Sequence, residues 1–196
     1  PSVDVVVDPI DRVVPEGVIT RDGMLHELDV LALATGFDAH AYIRPMRVTG
    51  EGGVSLDEVW AELPLTYRSI TIPHMPNFLM INGPYSPGGT ASVVGIADAQ
   101  VDYILQRIDR IVGRHVLLAP REEPSRRWLE GVREEARQSV WGTGGCQSGY
   151  LDATGTPTLD PSTLSELQAQ LAIPESGDFI ERPVLSAIAS GRRAEP

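Results

Sequence analysis

An uninterrupted apolar run, Val30-Leu31-Ala32-Leu33-Ala34, passes without a polar break into Thr35-Gly36-Phe37-Asp38. A strand with one wet face alternates apolar and polar side chains, so a strand without alternation is read as covered on both faces, as in a sheet with helices packed against it. Upstream, residues 3–7 and 12–14 read as short strands. Gly17-Val18-Ile19-Thr20 then leads to the turn signal Arg21-Asp22-Gly23, and Leu25 to Ala34 reads as strand again. The expectation is a small β-meander feeding a central strand that ends in a tight turn at Thr35-Gly36.

Residues 37–76 are rich in Gly and Pro, and only Leu56 to Trp60 reads as a helical turn. This stretch is expected to be an irregular connection packed by Trp60 and Tyr67, a length that usually signals function or contact with another domain. A short apolar strand over 78–82 breaks at Gly83-Pro84, passes through Tyr85-Ser86-Pro87-Gly88-Gly89-Thr90 and opens a helix. That helix carries Val93, Ala97, Val101, Ile104 or Leu105, Ile108 and Ile111 at spacings of three and four, which predicts its buried face, with Gly113 as the stop. A second amphipathic helix is expected over 124–141, with Trp128, Leu129, Val132, Ala136 and Val140 as its stripe. Residues 142–163 read as extended coil, a short helix is expected near 165–171, and the last residues read as frayed.

Composition excludes several chemistries. All 16 basic residues are Arg, so no Lys nucleophile, Schiff base or P-loop lysine exists, and at a net charge of −11 no basic stripe offers a nucleic-acid surface. No apolar run approaches the ~20 residues that span a bilayer, so no membrane partner is expected. The lone Cys146 rules out an internal disulfide framework and fits a reducing, cytoplasmic setting. His26, His40, His74 and His115 are scattered with no ligand spacing, so no metal is expected.

The strand, Gly-rich loop and helix at 78–112 bring free backbone N–H groups and a helix's positive end to one place, which suits a phosphate or any electron-rich ligand edge. An ordinary strand-to-helix turn with small residues for close packing accounts for the same pattern. Neither a G-x-G-x-x-G after a strand nor a P-loop is present. Ser86 sits where a hydrolase nucleophile would, but Gly83 three residues before it and Pro87-Gly88 after it do not make G-x-S-x-G. Asp98 and Asp102 share a helix face and read as solvated, and the three Trp read as packing anchors.

Four ordered segments carry a resemblance. Asp29-Val30-Leu31-Ala32-Leu33-Ala34-Thr35-Gly36-Phe37-Asp38-Ala39 resembles the A-T-G-F-D segment of flavin-containing monooxygenases, in particular the Baeyer–Villiger branch. Gly53, Leu56, Glu58 and Trp60 are similar to that family's G-x-x-L-x-E-x-W loop. Residues 75–87 resemble its P-N-l-f-x-x-x-G-P-x-S-P strand and turn, and Cys146-Gln147-Ser148 with Tyr150-Leu151-Asp152 resembles its C-x-S-W-Y-l-d segment. Gly149 stands where the family has Trp.

The resemblance implies an α/β fold: the C-terminal fragment of a two-domain FAD/NAD(P)-binding, Rossmann-like flavoprotein, with β-meander, closing strand and two amphipathic helices. The implied parts are 1–36 as meander and central strand at the junction of the NADPH and FAD domains, 37–76 as the irregular connection, 77–141 as closing strand and helices, and 142–196 as extension and substrate loop. It implies FAD and NADPH as cofactors and a ketone or heteroatom as substrate. Thr35, Gly36, Gly83, Pro84, Tyr85, Ser86, Thr90, Ser92 and Val93 would face the cofactor, and Ser148, Gly149 and Tyr150 the substrate. No catalytic side chain is nominated. The family's two G-x-G-x-x-G motifs do not occur in these 196 residues. The chain, which enters a strand pattern at once without a Met, is therefore expected to be cut from a longer protein and to need the missing N-terminal portion as its partner. The alternative is a non-catalytic α/β interaction module.

Overall fold

A computed structural model describes residues 3–145, 148–173 and 177–184, in two compact units that meet in sequence after Phe37. The first is a three-stranded antiparallel sheet of β1 (Ile10–Val14), β2 (Gly17–Thr20) and β3 (Leu25–Glu27) in that order. The expected turn closes it: Gly23 N donates to Thr20 O at 2.9 Å with Gly23 at φ +87°, and Asp22 Oδ1 accepts from Thr20 Oγ1 at 2.6 Å and Met24 N at 3.0 Å. Residues 3–7 form no strand. The central strand is also missing beyond Glu27: residues 30–34 pair with nothing among the described residues, and Val30 and Leu33 are 80% and 77% exposed. An apolar strand needs neighbours on its edges and cover on its faces, and this unit offers only a three-stranded ribbon that ends before it.

The second unit holds α1 (Leu56–Val59), α2 (Val93–Arg114), β4 (Val116–Pro120), α3 (Glu122–Gln138), α4 (Val140–Thr143), α5 (Leu164–Ala172) and β5 (Phe179–Pro183). Two helices start on capping boxes, Ser55 with Glu58 and Thr163 with Glu166, which satisfy N–H groups at both ends of the box. The expected closing strand is rudimentary. Leu79 bridges Thr71, and Met80 N donates to Ile70 O at 2.8 Å. Sequence periodicity gave no sign of β4 and β5, which pair antiparallel from Val116↔Pro183 to Pro120↔Phe179.

Residues 65–73, expected to be part of an irregular connection, are irregular yet wholly buried. This segment feeds every apolar cluster: Ile70 packs with Ile96, Ala99, Tyr103, Leu167 and Leu171; Leu65 with Tyr85, Leu129 and Val132; Ile72 with Leu56 and Met75; and Tyr67 with Leu118 and Phe179.

The helix α2 is long, as expected, but it is rotated about its axis relative to the predicted stripe. Its buried residues are Ile96, Ala99, Gln100 and Tyr103, while Val93 (65%), Leu105 (51%) and Ile108 (40%) of the expected stripe stay exposed. Counting aliphatic residues finds the wider apolar stripe, whereas the core receives the face carrying Tyr103 and Gln100, whose polar ends hid it. The helix also passes Gly113 and ends at His115, which takes the left-handed conformation at φ +53°. The second amphipathic helix and the short helix are present, with Gln138 and Leu164 as observed bounds in place of 141 and 165. Among the described residues no helix is long and apolar enough to cross a membrane.

The rotation of α2 is testable by chemical denaturation: Ile96→Ala should cost about 2–5 kcal/mol, whereas Val93→Ser, on the face expected to be buried, should change stability by less than about 0.5 kcal/mol.

Candidate functional site

The residues from Asn82 to Gly89 form a tight turn that depends on unusual backbone angles. Asn82 and Tyr85 sit at φ +52° and +60°, and Gly89 at φ +75°. A Cβ on Gly83 would lie 2.3 Å from the carbonyl oxygen of Ser69, and one on Gly89 would lie 2.6 Å from Trp141 Cζ2, so both glycines permit contacts that side chains would block. Gln100, fully buried in α2, ties the turn from beneath: its Oε1 accepts from Asn82 N at 2.7 Å and its Nε2 donates to Ser86 Oγ at 3.1 Å. Sequence reading passed over Gln100. Its one visible signal was an amide flanked by Ala99 and Val101.

The chain returns to this turn much later. Residues 150–158 form a small hairpin in which Thr158 N and Oγ1 donate to Tyr150 O at 2.8 and 2.9 Å and Asp152 N donates to Thr156 O at 2.9 Å. Past the hairpin the chain runs beside the turn. Asp160 N donates to Ser86 O and Gly88 N to Asp160 O, each at 3.3 Å, and Thr90 Oγ1 donates to Ser162 O at 2.7 Å.

Between turn and hairpin lies a cavity of about 470 Å³, within the ~300–1,000 Å³ of small-molecule sites. Its floor includes Gly83, Tyr85, Ser86 and Gly88, and its sides include Val93, Trp141, Tyr150 and Thr158. The α2 N-terminus opens beside it, with Ser92 as N-cap making no side-chain cap bond and no acidic residue in the first turn, so the positive end of the helix dipole is not neutralised from within. Of the residues nominated from sequence, Gly83, Tyr85, Ser86, Val93 and Tyr150 thus come together. Pro84 is buried within the turn, Thr90 is engaged with Ser162, and Ser148 Oγ accepts from Tyr150 N at 3.2 Å. Gly149 is exposed with open space around it. Thr35 and Gly36 belong to the other unit, both exposed. Cys146 and Gln147 lie outside the described residues.

Two phenols and one ion pair shape the electrostatics. Tyr42, on the rim of the cavity, has its phenol pushed up to about 12 by burial and by Tyr85, against a hydrogen bond with Thr158. Burial also raises Tyr85, while the Arg133 guanidinium, whose Nη1 donates to Tyr85 Oη at 2.8 Å, opposes the rise. Asp152 is partly buried, which disfavours its charge, yet hydrogen bonds from Thr154, Arg133 and the Thr156 backbone hold its carboxyl down at about 2. Ser86, considered as a nucleophile, has Gln100 as its hydrogen-bond partner, and none of the four His appears with it around the cavity.

Two outcomes follow. Gln100→Leu strands a backbone N–H and a hydroxyl, and should cost about 1–3 kcal/mol by chemical denaturation, more than Ser86→Ala. Because the Asp152 carboxyl is depressed from its ordinary 3.8 to about 2, its stabilisation is complete above pH 3.8 and vanishes as pH falls through 2. Thermal unfolding midpoints should therefore fall less steeply across that window in Asp152→Asn than in the parent chain.

No family model matches the chain. It is similar to an uncharacterised monooxygenase of Mycobacterium tuberculosis, 39% identical over 172 residues that make up 87% of this chain and 34% of the relative. It is likewise similar to a Baeyer–Villiger monooxygenase of Streptomyces coelicolor, 32% identical over 173 residues, 87% of this chain and 33% of that protein. Among solved structures, a closed form of cyclohexanone monooxygenase superposes with a TM-score of 0.74 at 29% identity, over 90% of this chain and 34% of that one. An oxidised steroid monooxygenase bound to NADP gives 0.73 at 29% identity, over 89% and 34%. The chain spans about a third of the length of the relatives it matches. In sequence and in fold it matches about a third of the length of flavin-dependent monooxygenases, Baeyer–Villiger enzymes among them.

Proposed function

We propose that this chain supplies the flavin-facing and substrate-facing third of a cytoplasmic, NADPH- and O2-dependent monooxygenase. The whole protein would insert one oxygen atom into a ketone or add it to a soft heteroatom. The observation that carries the reading is the groove itself, built from the turn that bears the family resemblance, the unneutralised start of α2 and the hairpin that carries Tyr150. FAD, reduced by NADPH and reacting with O2, would supply the redox chemistry. The chain's own contribution is binding and shape. Backbone N–H groups at Val93 and Val94 favour the electron-rich edge of an isoalloxazine, a stabilisation of about 0.3–1 kcal/mol at an exposed helix start. The turn at Gly83 to Gly89 lets a planar ring approach the backbone. Trp141, Tyr42 and Tyr150 offer apolar flanks that exclude water from a bound substrate. A ring would find no acidic group along this floor to repel a negative charge.

Thr35 and Gly36 are proposed to meet the cofactor at the hinge between its two domains, on the strength of the A-T-G-F-D resemblance alone. The exposed apolar residues of the 28–37 stretch and of α2 support a partner polypeptide, which the reading identifies as the remaining two thirds of the enzyme. An exposed apolar face on α2 would by itself suit a non-catalytic interaction module equally well; the similarity to monooxygenases is what favours the enzyme reading.

Supplied with the FAD- and NADPH-binding part of such a monooxygenase as a separate polypeptide, the chain should yield a yellow complex that oxidises NADPH faster when a ketone is added. The chain alone should retain flavin weakly. A reunited pair that holds no flavin after gel filtration would end the reading.

A further inference from the structure

Arg133 lies on the inward face of α3, at four residues from Leu129 and three from Ala136, and its side chain is only 9% exposed; Asp152, its partner, is 12% exposed. A guanidinium on an apolar face costs solvation that a single ion pair rarely returns in full, and an apolar residue of similar size commonly serves stability as well. The hairpin does not need Arg133 to close. Asp152 Oδ1 alone accepts from Thr154 N at 2.8 Å, Thr154 Oγ1 at 2.6 Å and Thr156 N at 3.0 Å. What Arg133 adds is a tie from the hairpin to the rest of the fold: Nη1 donates both to Asp152 Oδ2 at 2.5 Å and to Tyr85 Oη at 2.8 Å, and Nη2 donates to Thr154 Oγ1 at 3.4 Å. One cation therefore joins three segments far apart in sequence: α3, the hairpin and the floor of the groove.

We propose that Arg133 and Asp152 are a positioning pair that fixes the hairpin wall, with Tyr150 and Thr158, against the turn carrying Tyr85, and so sets the width of the groove. The role rests on the reading of that groove as the ligand-facing surface. Tyr85, with its backbone at φ +60°, has little freedom to follow a drifting hairpin. Without the guanidinium, the connection between wall and floor on this side reduces to the two 3.3 Å bonds that Asp160 makes with Ser86 and Gly88. Arg suits the task where Lys would not, since its planar fork serves two acceptors at once.

Amide hydrogen exchange on the full 196-residue chain tests the pair without any ligand. In Asp152→Asn and Arg133→Met, the amides of Gly88 and Asp160, which bond across the wall and floor, should exchange roughly tenfold faster or more. The hairpin amide of Thr158 and the β4 amide of Leu118 should stay within about twofold of the parent. Arg133→Lys, which keeps the charge, should restore part of the protection in both cross-links. Unchanged exchange at Gly88 and Asp160 overturns the proposal. So does an equal acceleration at Leu118, which would make the pair a general support of the fold. Should Arg133→Met fail to fold, Asp152→Asn and Arg133→Lys carry the same two-way decision. A riboflavin titration of the same proteins, followed by tryptophan fluorescence, addresses the groove separately. A parent chain with no response counts against the proposed function and leaves the exchange result standing. A response weakened about tenfold in Asp152→Asn supports both.

Discussion

A buried stretch of chain without regular structure must still find partners for its backbone polar groups, and the turn within residues 65–73 supplies several of them locally. Tyr67 N donates to Thr71 O, Ile70 N and Thr71 N donate to Tyr67 O, and Met80 N donates to Ile70 O. Arg68 and Ser69 accept left-handed angles of +55° and +59° to make this possible. Because the segment follows no regular repeat, successive side chains point in different directions, and each of the four apolar clusters receives one. The Ser69 carbonyl that emerges from it comes so close to Gly83 that no side chain fits there. The position of the turn along the groove is thus set by the core's least regular segment.

That turn is gripped from two sides by groups of different character. Gln100 acts from beneath through a neutral amide, which can be both donor and acceptor in one place at modest desolvation cost. Arg133 acts from the side through a charge, which tolerates burial only because Asp152 and Tyr85 accept from it. The neutral contact fixes the turn to α2, the element whose N-terminus faces the groove; the charged contact fixes it to the hairpin. Floor, helix start and wall are consequently mechanically linked, the condition under which a site holds a flat ligand without paying to order itself on binding.

Much of the local architecture was legible. The helical turn at Leu56, the short helix near 165–171, the turn at Arg21-Asp22-Gly23 and the long period of α2 all follow from signals within a few residues of one another. What escaped depends on partners distant in sequence. The β4–β5 pair joins Val116 to Pro183, and neither run alternates cleanly enough to stand out alone. The buried face of α2 departs from the expected one because burial selected Ile96, Tyr103 and Gln100 over the stripe of Val93, Val101, Ile108 and Ile111. Arg133 looked like one charge among many on a strongly charged helix, although its spacing from Leu129 and Ala136 placed it on the apolar side. In the candidate site, the turn was readable from its glycines and prolines, but the hairpin wall and the Gln100 tie were not, since both are tertiary facts.

The surfaces left over have a common physical character. Val30, Leu33 and Phe37 in one unit, and Val94, Leu105, Ile108 and Val112 in the other, are large apolar side chains in ordered chain, exposed where a surface selected for water would carry Arg or Glu. At about 25 cal/mol per Å² of apolar area, leaving such a stripe uncovered forgoes several kcal/mol of available stabilisation. A sequence whose other helix, α3, shows Glu and Arg to water at nearly every outward position clearly has the means to build a wet face. The chain matches only a third of proteins whose full length is three times greater. On the proposed reading, then, the anomalous strand and the anomalous helix face have one cause: both are interior surfaces of a larger flavoprotein, and the strand that fails to form here lacks neighbours rather than propensity.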